Sequence, residues 1–467
     1  MNTRPNIVLI TADSLRADRL GCYGYRLPTT PNLDTFAGES TRFTHAFSNG
    51  PNTPHAFPAI MAGRCSLQSR KLGLFDVPVT LAEALQQTGY HTMGFNAANP
   101  YISRYFHYDR GFDQFYDYLT FEIPQPRGER RLPAESESAS VDHSSLITIP
   151  GLDVERYLVG EESIRAKAQL EMQFHEHVFH AVEKRPEDKP VFLWLHYMDT
   201  HYPYLPQREP QVELNGHSIS REENLRLNQR VRENAALSPE ALARVSGLYN
   251  ASVRQLDAKV GELFDFLKRT ALYDSSLIVF TADHGEEFMD HGDLQHKSKL
   301  YDELMHVPLM VKRPRQSRYY ARSDLVSLLQ IAPSILACLD IENLFEYQSF
   351  FEDSSSYVDN RNMAAFAAAS YGTDGRTPTD ERMLQTDIMP KVYCCRSQHM
   401  KVITDTGGES QVFNLLSDPT ESRNLFGSDN GEAKALLGAL TDYVADLETT
   451  RVKQQVLQLR DRMTEGI

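Results

Sequence analysis

The sequence predicts an α/β protein with a mostly parallel central sheet, helices on both faces and a smaller C-terminal α+β domain. Three short apolar runs, at 5–12, 190–195 and 276–281, indicate buried strands, because strands covered on both faces are almost continuously apolar. Each run is followed by acidic residues or histidines. The carboxyl ends of parallel strands meet at one edge of a sheet, so the pattern places a ligand site at that edge.

Helical periodicity fills several segments between the predicted strands. Residues 79–89 have apolar positions at helical spacing and end on a glycine, and a short strand is predicted at 90–95. Longer helices are predicted at 161–184 and at 238–270. Strands that alternate with helices are typical of a parallel sheet. Residues 124–150 are rich in serine and charge and follow no period, which predicts a surface insertion.

The alternation of predicted strands and helices becomes less regular after residue 345. Short strand candidates occur there at 364–370, 392–396 and 401–404. A helical tail is predicted at 432–462. We therefore predict a catalytic domain at 1–345 and a small C-terminal domain with a helical tail at 346–467.

Composition excludes several classes of partner. The 467-residue chain has a formal net charge of -15, which argues against binding to nucleic acid or to an anionic membrane. Because the chain is negatively charged overall, the site for an anionic small-molecule substrate would need a local metal or basic cluster. Self-association stays open. The five cysteines are odd in number and scattered, as in proteins of a reducing compartment. No secretory signal is apparent and no apolar run is long enough to span a bilayer, so we expect a cytoplasmic protein.

Asp13, Asp283 and His284 are the candidate metal ligands. Asp13 ends the first predicted strand, and Asp283 and His284 follow the run at 276–281. Each signal alone has a simpler interpretation, a helix cap for Asp13 and a polar turn for the other two. Together, two carboxylates and an imidazole at one sheet edge favour a divalent cation, with Ca, Mn, Mg and Zn all left open.

Six motifs follow one another along most of the chain. They are Pro5 to Asp13, Gly89 to Thr92, Asp199 to Pro203, Thr281 to Glu286, Lys297 to Glu303 with Val307-Pro308, and Phe413 to Leu425. In this order and spacing they resemble the sulfatase family of the alkaline phosphatase superfamily. The resemblance implies an alkaline-phosphatase-like three-layer sandwich, hydrolysis of anionic esters and one divalent cation.

The resemblance places Thr53 at the nucleophile position, counted back from Gly63-Arg64. The family has a cysteine or serine there that is converted to an aldehyde, which threonine cannot become, and Phe57 replaces the family's arginine. Relatives with a metal-bound threonine handle phosphoryl groups. A threonine ester also has to be attacked by water or an acceptor, whereas an aldehyde hydrate can expel sulfate by itself. We therefore predict a covalent Thr53 intermediate, with Thr53 also a metal ligand and with phosphate or phosphonate esters favoured over sulfate esters.

The resemblance also implies roles around the reacting group. His201 matches the residue that protonates the leaving group, Lys297 and Asn99 match residues that hold the anionic oxygens, and His296 could share the role of Lys297. Simple turn roles remain the alternative for His201 and Asn99. A further alternative is a second metal site built from Asp199, His201, His291 and His296.

Three rival functions remain open at the level of the sequence. The first is a sulfatase that works without the aldehyde, and the second is a transferase that passes a phosphoalcohol group to an acceptor. The third is a pseudoenzyme that only binds an anion. The Phe57 substitution favours the pseudoenzyme, and the presence of Asp13, Asp283 and His284 argues against it.

Overall fold

The structure is a computed structural model that describes residues 4–122, 147–150, 173–351, 365–370, 386 and 391–465. Its strands, numbered in chain order, are β1 Asn6–Ala12, β2 Thr41–Phe47, β3 His91–Asn96, β4 Gln114–Tyr116, β5 Leu119–Glu122, β6 Ile147–Pro150, β7 Val191–Tyr197, β8 Ser276–Ala282, β9 Glu287–Phe288, β10 Leu294–Gln295, β11 His306–Lys312, β12 Tyr320–Ser327, β13 Ala365–Ser370, β14 Lys391–Arg396, β15 Met400–Asp405 and β16 Ser410–Asn414.

Eight strands form the central sheet in the order β12-β2-β11-β8-β1-β7-β3-β4. Strand β1 lies in the middle and pairs in parallel with both β7 and β8. All three are buried almost throughout, as their continuous apolar runs predict. Strand β11 runs antiparallel to its neighbours β8 and β2, and the remaining pairings of the sheet are parallel. The predicted α/β fold with a mostly parallel central sheet is confirmed.

Helices connect the strands. The described helices of four or more residues are Pro31–Ala37, Thr53–Ala62, Leu81–Gln87, 173–183, Arg208–Asn215, Arg221–Arg232, Pro239–Arg269, Leu272–Ser275, Asp302–Met305, Ile331–Ala337 and Gly431–Glu465. The long helix Pro239–Arg269 begins as its sequence predicts: Ser238 accepts a hydrogen bond from the backbone of Ala241, and Pro239 takes the first helical position. Every helix within the described ranges is too short or too polar to cross a lipid bilayer.

A second, antiparallel sheet lies in the C-terminal part, in the order β13-β14-β15-β16. Its two faces pack against different partners. Tyr393 and Cys395 pack in a cluster with the helix that begins at Gly431, whereas Cys394 packs on the other face with Leu304. The adjacent cysteines therefore point to opposite sides of one strand, and both are free thiols.

Most of the predicted insertion at 124–150 lies outside the described residues. Its last four residues form β6, which pairs in parallel with β5. The predicted helix at 161–184 is helical over 173–183, and its first part also lies outside the described residues. The strands predicted at 364–370, 392–396 and 401–404 and the helical tail are present with ends that differ by a few residues.

Candidate active site

Asp13 and Asp283 lie side by side, each directly after the last residue of a central strand. In β1, Ala12 pairs with Tyr197 on one side and with Ala282 on the other. The hydrogen bonding continues one residue further, because Asp13 N donates to Tyr197 O (2.9 Å) and Asp283 N donates to Ala12 O (3.3 Å). Both side chains are fully buried. Two acids that are 270 residues apart along the chain thus meet because their strands are neighbours.

Thr53 brings a hydroxyl group to the same point. It is the first residue of the helix Thr53–Ala62, and Asn52 takes the N-cap position. Thr53 Oγ lies 3.0 Å from Asp283 Oδ2 and 3.2 Å from Asp13 Oδ2, and it donates its one proton to one of them at a time. Gly50 allows the loop before Thr53 to pass close to the helix, since a Cβ at Gly50 would lie 2.2 Å from His55 Cβ.

His284 presents its Nε2 atom to this cluster. Its Nδ1–H donates to the carbonyl of Gly285 (2.8 Å), which fixes the tautomer and leaves an Nε2 lone pair. Nε2 lies 3.4 Å from Thr53 Oγ and 3.5 Å from Asp283 Oδ2. Burial, and then the charge of the nearby His296, lower the pKa of His284 to about 4, so the ring is neutral at pH 7. A neutral, oriented imidazole is the form that binds a metal ion.

The donor set fits a divalent cation. Asp13, Asp283 and His284 each offer a buried ligand atom, and these atoms all lie within 4.8 Å of one another. Burial and the charge of Asp13 raise the pKa of Asp283 to about 8. For Asp13, burial acts in the same direction, but His201, His196 and His284 outweigh it and hold its pKa well below the usual value. Paired buried carboxylates of this kind are stabilised by a cation between them.

Asn99 connects the hydroxyl and the first carboxylate. Its Nδ2 donates to Asp13 Oδ2 (2.6 Å) and lies 3.3 Å from Thr53 Oγ. Asn96 builds the turn that positions it: Asn96 Oδ1 accepts from the backbone of Asn99 (2.8 Å), and its Nδ2 donates to Asn99 O (2.7 Å). The predicted substrate-binding residue is therefore at the site, with its amide turned toward Asp13.

His201 and His296 lie beside the cluster. The His296 ring centroid is 4.6 Å from that of His284 and 5.1 Å from that of His201. Nδ1 of His201 donates to the carbonyl of Tyr202, and Nδ1 of His296 lies 2.9 Å from Glu286 Oε1. Both rings are thus oriented by a contact at Nδ1.

Lys297 lies on the same loop as His296 and is ion-paired. Its Nζ lies 2.6 Å from Asp293 Oδ1, and Lys299 Nζ lies 2.6 Å from the other oxygen of that carboxylate. The alternative second metal site is not assembled among the described residues. Asp199 pairs with Lys259 (2.7 Å), and His291 pairs with Glu303 (2.6 Å).

Two residues of the site were not singled out from the sequence. Ser14 adopts a left-handed backbone conformation (φ 57°), so that its amide donates to Asp283 Oδ1 (3.2 Å) and its hydroxyl donates to Asp13 Oδ1 (2.7 Å). His196 Nε2 lies 3.4 Å from Asp13 Oδ2. Ser14 directly follows a predicted ligand, which is a usable signal, whereas His196 lies inside β7 and looks like an ordinary strand residue.

This fold and site define the class of protein: an α/β enzyme that hydrolyses sulfuric or phosphoric esters. The chain belongs to the sulfatase family, whose profile, described as Sulfatase, matches residues 5–341. It is 22% identical to an arylsulfatase of Clostridium perfringens, with 91% of each chain covered. It is 25% identical to a choline-sulfatase of Rhizobium meliloti, covering 95% of this chain and 86% of that one.

Solved structures share the fold. A phosphonate monoester hydrolase of Agrobacterium radiobacter superimposes with a TM-score of 0.65 at 18% identity, covering 97% of this chain and 96% of that one. A protein solved in complex with its substrate D-glucosamine-2-N,6-O-disulfate superimposes with a TM-score of 0.67 at 18% identity, covering 96% and 99%. The resemblance to the sulfatase family that the motifs predict is confirmed.

Proposed function

We propose that this sulfatase-family hydrolase cleaves phosphate or phosphonate esters through a covalent ester on Thr53. The observation that carries the proposal is the position of the Thr53 hydroxyl, within 3.4 Å of Asp13, Asp283 and His284. A lone threonine hydroxyl is a weak nucleophile and needs a cation or a base to become reactive. The same three residues are those that would hold the cation.

Asp13, Asp283, His284 and Thr53 would hold one divalent cation. When bound, it supplies positive charge that lowers the pKa of the Thr53 hydroxyl and offsets the charge of the transferred group. Oxygen donors predominate, which favours Ca²⁺, Mg²⁺ or Mn²⁺ over the softer Zn²⁺. Asn99 would hold the Asp13 carboxylate and the Thr53 hydroxyl in position relative to each other, since its amide contacts both.

In the first step, Thr53 Oγ forms a bond to phosphorus and the bond from phosphorus to the leaving oxygen breaks. The Thr53 proton passes to the Asp283 carboxylate, 3.0 Å away, and His201 gives its proton to the leaving oxygen. In the second step, water attacks phosphorus, the bond to Thr53 Oγ breaks, His201 takes a proton from the water and Asp283 returns its proton to Thr53. The products are an alcohol and a phosphoryl or phosphonyl acid.

Lys297 and His296 would complete the binding of the substrate's anionic oxygens. Lys297 Nζ is held by Asp293, so its charge is partly neutralised before substrate arrives. The His296 ring packs against those of His201 and His284, the histidines proposed to protonate the leaving oxygen and to hold the cation. We expect His296 to contact the transferred group and Lys297 to contact the outer part of the substrate.

Hydrolysis of sulfate esters is the second candidate. It is favoured by the names of the relatives, an arylsulfatase and a choline-sulfatase, and by the disulfated substrate bound to one of the structural neighbours. The threonine argues against it, because expulsion of sulfate by collapse to an aldehyde needs a cysteine- or serine-derived aldehyde at that position.

A panel of nitrophenyl esters tests the proposal: a phosphodiester, a phosphonate monoester, a phosphate monoester and a sulfate ester. The cation-loaded protein is expected to turn over the phosphoryl esters fastest, and Thr53→Ala is expected to be inactive. His201→Ala is expected to lose more activity with an alkyl leaving group than with nitrophenol, which needs no proton. Turnover of the sulfate ester alone would favour the second candidate.

A further inference from the structure

The residues that the sequence predicts for the substrate's anionic oxygens are already engaged. Asn99 donates to Asp13 (2.6 Å), and Lys297 pairs with Asp293 (2.6 Å). Donors without a partner are therefore the better candidates for this task, because a buried donor is seldom left unpaired in a folded protein. Two such donors, Asn52 Nδ2 and Tyr108 Oη, have no hydrogen-bond partner among the described residues.

Asn52 directly precedes Thr53 and is 3% exposed. Its Oδ1 accepts a hydrogen bond from His55 Nδ1 (2.6 Å), and burial lowers the pKa of His55 to about 3, so that ring is neutral and donates through Nδ1. This contact fixes the orientation of the amide, whose two N–H groups have no acceptor in the part of the chain that the structure describes.

Tyr108 lies near the site, within range of the charge of Asp283, and is 1% exposed. Its ring stands edge-on to Phe57, with centroids 6.0 Å apart and planes at 84°. Phe57 lies one helical turn after Thr53, so the two share a face of the helix. Burial, and then the charge of Asp283, raise the pKa of Tyr108 well above its usual value, so the hydroxyl keeps its proton as a donor.

Phe57 fills the position at which the family has an arginine. Besides Tyr108, its ring contacts Trp194 (5.7 Å) and His196 (4.9 Å). An apolar side chain there removes a positive charge from the wall of the site. The two unpartnered donors next to this position, the Asn52 amide and the Tyr108 phenol, are both neutral.

We propose that Tyr108 Oη and Asn52 Nδ2 donate hydrogen bonds to the non-bridging oxygens of the group that Thr53 receives. The proposal rests on the proposed function and specifies its substrate class. Neutral donors suit a transferred group with one negative charge, as in a phosphodiester, a phosphonate monoester or a sulfate ester. A phosphate monoester, which is doubly charged at pH 8, is expected to be the poorest phosphoryl substrate.

Tyr108→Phe tests this with the loss of a single oxygen atom. With the best ester of the panel, kcat/KM is expected to fall about 100-fold, as for other single donors to an anionic transition state. Inorganic vanadate, a mimic of that state, is expected to bind the cation-loaded variant more weakly by a similar factor. The unfolding midpoint is expected to stay the same or rise, because the variant removes an unpaired buried hydroxyl. Asn52→Ala is expected to show the same losses of activity and vanadate affinity.

Tyr118→Phe is the matched control. The Tyr118 hydroxyl is also buried without a partner among the described residues, but its ring packs against Phe174 and His177, neither of which belongs to the proposed site. This variant is expected to keep the activity and the vanadate affinity of the wild type.

Three results would overturn the inference: unchanged kcat/KM and vanadate affinity in Tyr108→Phe, a loss of activity matched by an equal loss of stability, or a wild-type preference for the phosphate monoester. Failure of the proposed function gives a different result, because Thr53→Ala would then keep its activity whatever Tyr108→Phe does. If the wild type hydrolyses none of the esters, vanadate binding still decides whether Tyr108 holds the anion.

Discussion

Replacing Asp283 with asparagine is expected to stabilise the metal-free protein and to remove its stabilisation by a cation. Burial and the charge of Asp13 raise the pKa of Asp283 from 3.8 to about 8. A carboxyl group whose pKa is raised on folding destabilises the folded state wherever the unfolded chain would ionise it. Asparagine has the same shape without the charge, and its amide can donate to Asp13.

The size of the effect follows from the pKa of Asp283. At pH 7 the destabilisation is on the order of 4 kcal/mol, at about 1.4 kcal/mol for each unit between the unfolded pKa of 3.8 and pH 7. An unfolding entropy of about 2.1 cal/mol/K per residue converts this to about 4 °C for a chain of 467 residues. The sign depends on pH: the difference between variant and wild type vanishes below about pH 4, grows from pH 4 to pH 8 and is constant above that.

Thermal unfolding of chelator-treated protein at pH 5, 7 and 8, with and without added Ca²⁺ or Mg²⁺, measures both effects. A cation at 100 times its Kd stabilises the wild type by about 2.7 kcal/mol. The variant is expected to gain little from the same addition. Asp302→Asn serves as a matched control. Lys401 and Arg396 lie within 2.8 Å of that carboxylate, so the control is expected to lose stability with or without the cation.

Two results would refute this reasoning. One is a metal-free Asp283→Asn protein that unfolds at a lower temperature than the wild type at pH 7, which would mean that the paired carboxylates do not destabilise the fold. The other is an equal rise in both proteins on adding the cation, which would place the cation elsewhere.

Two further predictions concern the surroundings of the site. Gly285→Ala is expected to lower the free energy of unfolding by about 3 kcal/mol, since a Cβ there would lie 1.9 Å from the backbone oxygen of Glu303. Equilibrium urea unfolding measures this, and a change within 0.5 kcal/mol, roughly that of a neutral surface substitution, would contradict it. Lys401→Met is expected to cost roughly 3–5 kcal/mol, because it removes the buried cation 2.8 Å from both Asp302 and Glu421 and leaves Asp302 with Arg396 alone. Wild-type stability in this variant would mean that the three groups do not act together.

The sequence predicts the centre of the sheet and not its edges. Strands β1, β7 and β8 are continuous apolar runs because helices or loops cover them, and this pattern is visible without a structure. Strand β12 is largely exposed and carries charged residues, so its sequence does not differ from that of a loop. The antiparallel direction of β11 depends on the path of the chain between β8 and β11, which no local pattern records.

Some residues of the candidate site could likewise be predicted from the sequence, and others could not. Asp13, Asp283 and His284 follow predicted strands, so their meeting could be predicted from strand order alone. His196 was not predicted because β7 runs two residues beyond its apolar run and includes it. Lys297 pairs with Asp293, and the Tyr108 hydroxyl has no partner among the described residues. Both facts depend on side-chain orientation, which only the folded chain determines.

The central claim, a covalent ester on Thr53, is tested most directly by rapid-quench mass spectrometry of the cation-loaded protein during turnover of a nitrophenyl phosphonate or phosphodiester. The account predicts a burst of nitrophenol equal to the enzyme concentration and a phosphonylated or phosphorylated peptide whose modified residue is Thr53. Full turnover by Thr53→Ala, or turnover in which Thr53 stays unmodified at every quench time, would contradict it.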